Sequence, residues 1–224
     1  MIRKLWAIGL LLALPGLHIF ADNHGAEDAS AHEQYVKIFK EENKPEFEAF
    51  KYCLEGFHKL TSDGLIANHR IVTLIDYSLP SHLTRLWVID LEKDTVLVNS
   101  MVAHGRNSGE VLPTTFSNTP HSLMSSQGFF VTGESYFGKH GYSLRLDGIE
   151  SGINDRARQR AIVIHPASYV SNDFIKKHGR LGRSWGCPAL PPEESKSIID
   201  LIKEKSCLYI YSPDPDYEVK SDII

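Results

Sequence analysis

The sequence has few cysteines, no surplus of positive charge, and one apolar run long enough to attract notice. Each shortage narrows what the chain can be. Three cysteines in 224 residues, Cys53, Cys187 and Cys207, are too few for a disulfide-built scaffold. Their odd number leaves at least one thiol unpaired within the chain. The formal net charge is −4 and becomes more negative if Arg3 and Lys4 are removed. A nucleic-acid partner is therefore not expected, because phosphate binding calls for a basic surplus. No His-Glu-x-x-His cluster occurs, so a zinc peptidase is excluded and no metal or other cofactor is expected.

The apolar run lies at the start. Arg3 and Lys4 precede uninterrupted apolar residues from Leu5 to Leu14, then Pro15-Gly16 and a small Ala21. This is the layout of a secretory signal over residues 1–21, cut after Ala21, with an uncleaved anchor as the alternative. Either way the chain is expected to be exported to the periplasm or cell envelope. A membrane is met only through that segment.

Residues 22–34 are polar and read as a mobile lead-in. Between Lys44 and Leu60 the apolar residues Phe47, Phe50, Leu54 and Phe57 recur at helical steps. Residues 22–65 are thus expected to form a lead-in and an amphipathic helix. From residue 66 the pattern turns to β. Residues 70–78, 85–92, 95–105, 128–136, 142–148, 161–166 and 207–213 are rich in β-branched and aromatic side chains, and Lys93-Asp94 suggests a hairpin tip. Ile198, Ile199 and Ile202 lie at helical spacing behind Pro191-Pro192, with acidic residues first and lysines last. The expected fold is mainly β (α+β), a single domain over residues 66–213 with a helix before it, a helix near its end, and a tail at 214–224.

The chemistry centres on "GRSWGCPALP" at 182–191. A cysteine attacks only as thiolate and needs a base or positive potential nearby. It also needs N–H groups for the oxyanion that its attack creates. Gly186 permits unusual dihedrals and close approach of a substrate. Pro188 biases Cys187 toward extended backbone. His165 ends the apolar run "AIVIHP", where a strand terminus would hold its ring toward solvent, and it is the expected base. His178 is a rival in a basic loop, and "YVSNDFIKKHGRLGR" reads as a returning loop. A lone Gly-Cys-Pro also suits a structural turn, which would pair Cys187 in a disulfide.

The run "HPASYVSNDFIKKHGRLGRSWGCPALP" resembles the catalytic stretch of the L,D-transpeptidase (YkuD-like) domain, in its murein branch. "VAHGRNSG", "TTFSNTP", "SSQGFF", "YFGKHGYSLRLDG" and "GINDRARQRAIVIHP" extend the likeness over residues 70–212. The resemblance implies an L,D-transpeptidase-like β-sandwich. It implies Cys187 as the acylated nucleophile, His165 as base, Gly186 with the Cys187 N–H as the oxyanion turn, and Ser184 as the motif hydroxyl. It departs at Trp185, where the family usually has histidine, and at Ala189, where it usually has asparagine. Among residues near the site, Arg183 is the expected substrate contact, Trp185 alters the pocket wall, and Tyr136, His140 and Gly141 are expected to line the cleft. Lys176 and Lys177 read as a solvated face.

The implied activity is a peptidoglycan L,D-transpeptidase: loss of D-Ala from a stem tetrapeptide, a thioester on Cys187, and transfer to an amine. Water as acceptor would give an L,D-carboxypeptidase or murein hydrolase. A cell-wall-binding module with Cys187 in a disulfide is the non-enzymatic alternative. A sortase is excluded, because no arginine follows Arg183, and a papain-like peptidase has its cysteine before its histidine. With Cys187 free, Cys53 and Cys207 are left as a candidate disulfide pair.

Overall fold

The computed structural model describes residues 23–224, so the expected signal segment and the cut after Ala21 lie outside the described residues. In chain order the elements are α1 (Asn23–Ile38), α2 (Phe47–Ser62), β1 (Ile71–Asp76), β2 (Leu86–Asp90), β3 (Thr95–Ser100), β4 (Gly128–Gly138), β5 (Gly141–Gly148), β6 (Val163–Pro166), α3 (Asn172–His178), β7 (Ala189–Leu190), α4 (Pro192–Ile202), β8 (Cys207–Tyr211) and α5 (Pro215–Lys220). None of these helices is long and apolar enough to cross a membrane.

The eight strands form one mixed sheet in the order β3-β2-β1-β8-β4-β5-β6-β7. β1 runs antiparallel to β2 and parallel to β8, so the last strand lies in the middle of the sheet. Strand side chains alternate between faces, and both faces are apolar here. Val72, Leu74, Trp87, Ile89, Phe129, Val131, Cys207 and Tyr209 meet α1 and α2 on one side. Ile71, Ile75, Leu86, Val88, Phe130, Leu208 and Ile210 meet α4 on the other. Leu144, Leu146, Ile164 and Leu190, from the far end of the sheet, join that second cluster. The sheet therefore curls over α4 and closes a sandwich.

The apolar stripe of α2 explains its seat. Phe50, Cys53, Phe57 and Leu60 are buried, each large side chain contributing about 1.5–3 kcal/mol by leaving water. Gly56 is the point of closest approach, since a Cβ there would lie 2.0 Å from the Phe129 ring. The hairpin expected at Lys93-Asp94 is present, joining antiparallel β2 and β3, with Asp94 left-handed at φ 48°.

Three expectations are corrected. Residues 23–38 form a helix rather than a mobile lead-in, because Ala31, Tyr35 and Ile38 are buried and Phe39 beyond them packs edge-on against Trp87. The loop after His165 contains α3, capped by the Ser171 hydroxyl and stopped by left-handed Gly179. Cys53 and Cys207 are not bridged: all three cysteines are free, and these two are buried in the core beneath α2. Cys187 is therefore not in a disulfide either.

Candidate active site

β6 and β7 place the key pair. They run parallel, with His165 opposite Ala189. Cys187 thus sits two residues upstream of the partner of His165. β7 is held on its other side by residues 103–106. Ala103 pairs with Ala189 and Gly105 with Ser184, Ser184 N–H donates to His104 O at 2.9 Å, and Arg106 N–H donates to Ser184 O at 2.8 Å. The Ser184–Cys187 turn is consequently fixed by backbone ladders on both flanks.

Within the turn, Ser184 Oγ accepts the Gly186 N–H at 3.0 Å and donates to Cys187 O at 2.6 Å. Its hydroxyl closes the loop. Gly186 has φ 128°, and a Cβ there would lie 2.6 Å from the Met124 carbonyl oxygen, so only glycine fits. Because the Gly186 N–H is spent on Ser184, the Cys187 N–H is the donor left at the turn for a developing oxyanion. The Cys187 Sγ lies 3.6 Å from the Ala161 carbonyl. That carbonyl is aimed by Ala161 itself, left-handed at φ 54°, a conformation that costs a non-glycine residue about 1–2 kcal/mol.

Burial favours the neutral form of both Cys187 and His165. Burial pushes the Cys187 thiol up, against the Val163 N–H and the charges of Arg160 and Lys139, which favour thiolate. His165 is 4% exposed, and burial lowers its pKa, helped by His140 and Lys139 and opposed by the Pro166 carbonyl. Its Nδ1–H donates to Pro166 O at 2.9 Å. This fixes the tautomer and leaves Nε2 as the basic nitrogen.

A cavity of about 360 Å³ joins these residues. Cys187, His165, Ser184, Trp185, Arg183, Tyr136 and His140 all line it. Gly141 does not, and it instead turns the β4–β5 hairpin with φ 86°. Gly186 lies behind the wall. Trp185 is 67% exposed at the mouth, with Lys139 Nζ 5.4 Å from its ring centroid.

Arg183 is occupied, its Nη1 donating to Arg106 O, Gly109 O and Glu110 Oε1 at 3.0, 3.0 and 2.8 Å. Through Nη1 it braces the 106–110 loop. Arg180 meets the same Glu110 at 3.0 Å. Lys176 and Lys177 lie exposed on α3, as a solvated face requires.

Sequence reasoning missed two residues here, Arg85 and His104. Arg160, within the stretch "GINDRARQRAIVIHP", lines the cavity. It donates to Ser117 O, to Ser126 Oγ at 2.6 Å, to Met124 O at 2.7 Å and to Ser122 Oγ at 3.2 Å, tying down the 117–126 wall. Arg85 and His104 form a buried pair behind the 102–109 segment, outside the cavity lining. Arg85 is fully buried and has no carboxylate within ion-pair distance among the described residues. It donates to Leu79 O, Val102 O and His104 Nδ1 at 2.8, 2.9 and 2.8 Å. His104 Nε2–H then donates to Gly109 O at 3.2 Å. Burial and Arg85 hold the His104 pKa down to about 3, so it stays neutral. The arginine at the head of an apolar strand was the one available signal.

Residues 41–211 match the L,D-transpeptidase catalytic domain family. Among solved structures, an L,D-transpeptidase from Mycobacterium smegmatis is 13% identical, over 64% of this chain and 59% of that one, with a TM-score of 0.40. The helical cell shape determining protein Pgp2 from Campylobacter jejuni is 13% identical over 65% and 48%, with a TM-score of 0.44. An L,D-transpeptidase from Stackebrandtia nassauensis is 12% identical over 87% and 93%, with a TM-score of 0.38. The chain thus spans less than two thirds of the first two. A search of curated proteins finds no match.

Proposed function

The chain belongs to the L,D-transpeptidase catalytic-domain family, and from that premise we propose that it is an exported cysteine acyltransferase acting on peptidoglycan stem peptides. The observation that carries this reading is the single cavity onto which both Cys187 and His165 open, one residue on each of two paired segments.

In the proposed reaction the Cys187 sulfur attacks the carbonyl between the third stem residue and D-Ala while His165 Nε2 takes the thiol proton. The Cys187 N–H donates to the oxyanion. The C–N bond then breaks, and the imidazolium returns the proton to the departing amine. This leaves D-Ala and a thioester. An incoming amine attacks that thioester, gives a proton to His165, and expels the sulfur as C–S cleaves, after which the proton returns to Cys187. Ser184 and Gly186 position the turn. Tyr136, His140 and Trp185 shape the walls, and Arg183 acts through the loop it braces.

The test is to incubate the protein with muropeptides and weigh the products. Cross-linked dimers mean transfer to an amine, whereas tripeptides alone mean that water resolves the thioester. Full turnover by Cys187→Ala would sink the mechanism.

A further inference from the structure

The cavity around Cys187 contains no aspartate or glutamate among its lining residues, and it carries three cations: Lys139, Arg160 and Arg183. Two of them are already engaged with the protein. Arg160 has its guanidinium on the 117–126 wall, and Arg183 has its own on Glu110 and two carbonyls. Lys139 differs. Among the described residues it makes no ion pair and no hydrogen bond, and its one close partner is the face of Trp185. Other cations on the same hairpin and its flank are neutralised: Arg145 and Arg158 both pair with Glu134, and Arg158 also pairs with Asp147.

The placement of Lys139 is specific. It lies in the tip joining β4 to β5, next to His140, whose ring stacks on His165 with centroids 4.5 Å apart. Its charge is felt at both Cys187 and His165. An unpaired ammonium at the mouth of an acid-free pocket, in range of nucleophile and base, selects for a carboxylate placed just beyond the bond being cut. Consecutive Cα atoms are about 3.8 Å apart. A carboxylate that close to the scissile carbonyl belongs to a leaving group of one residue.

We propose that Lys139 binds the α-carboxylate of the departing residue and so restricts the enzyme to peptides with one residue beyond the scissile bond. The proposal rests on the acyl-transfer reading above, with its single departing residue, and adds to it the side chain that recognises that residue's carboxylate. On this account the Trp185 ring holds the ammonium in waiting, through an attraction to its face. The ammonium exchanges that weak contact for a charge-assisted bond when a substrate arrives. A longer peptide places a neutral amide where the carboxylate should be and gains no such bond.

The experiment compares a stem tetrapeptide ending in a free carboxylate with the same peptide ending in a carboxamide, following thioester formation on Cys187 by mass spectrometry. The wild-type protein is expected to acylate from the acid faster than from the amide by about 10- to 100-fold, the range of a hydrogen bond to a charged group. Lys139→Met is expected to lose the preference for acid over amide, beyond any common change that the lost charge brings to both peptides, while Lys139→Arg keeps the preference. A merely structural lysine would slow both peptides alike in Lys139→Met and leave the acid-to-amide ratio unchanged, and that unchanged ratio overturns the proposal. Equal rates from acid and amide in the wild type overturn the role of the lysine alone. A wild-type protein that forms no thioester with either peptide overturns the acyl-transfer reading and this proposal with it.

Discussion

The ring of His140 lies on that of His165, with the two planes inclined by 27°. Stacked imidazoles cannot both carry charge without repulsion, and burial already disfavours the cation at His165. On the proposed mechanism His165 must be neutral to accept the thiol proton, so activity is present above its pKa and lost as pH falls through it. The acid limb of Cys187 acylation is therefore expected below the ordinary histidine value of about 6.5. Replacing His140 by alanine removes one of the lowering causes and should move the limb upward. Rates of thioester formation measured from pH 4 to 8, or about that span, would show it. A wild-type limb above the ordinary value would refute the argument.

Thiol counting separates the three cysteines. Burial raises the pKa of each, most severely at Cys53 and Cys207 in the core. Without reductant, the native protein should react with a thiol reagent at Cys187 only, and the denatured protein at all three. The Cys187 reaction should still be climbing above pH 8.5 or so, where an ordinary free thiol is half ionised. Loss of two thiols from the denatured count would mean that Cys53 and Cys207 are bridged after all.

Gly186→Ala places a methyl group against the Met124 carbonyl and forces alanine into a dihedral it rarely adopts. Strain of this kind costs about 1–3 kcal/mol. The turn can relieve it only by moving Cys187 away from its present place between β6 and residues 103–106. Acylation is expected to fall by about 10²-fold, the loss that a misplacement near 1 Å can bring, with a modest drop in Tm. An alanine variant acylating at the wild-type rate would show that the turn is not held as described.

Arg85 carries a structural debt if removed. Arg85→Leu would leave Leu79 O, Val102 O and His104 Nδ1 buried without donors, each costing about 1–3 kcal/mol. Denaturant unfolding should report a loss of about 3 kcal/mol or more. His104, freed from the guanidinium, should also become easier to protonate. A variant as stable as the wild type would mean that water satisfies those acceptors.

The sequence made the regular core legible where one period dominated. α2, α4 and most strands carry apolar residues at helical or alternating spacing because each buries a defined face. α1 escaped notice since its buried residues, Ala31, Tyr35 and Ile38, are sparse in a polar stretch, and its helix depends on packing against α2 and the edge of β2. α3 buries none of its residues, so no periodicity could reveal it, although Ser171 and Gly179 mark its ends. At the site, residue chemistry and the family resemblance pointed to Cys187 and His165, and the fold brings both to one cavity. The commitments of Arg183 and Arg160 were not legible, because their partners lie more than thirty residues away in the chain. Nor was the neutral His104, whose state is set by a guanidinium nineteen positions distant.

The central place of β8 constrains how the molecule comes into being. β1 and β4 touch through β8 and have no direct ladder between them. A chain still lacking Cys207–Tyr211 holds two partial sheets with facing, unsatisfied edges, so the ladder that unites them forms only once β8 has been made.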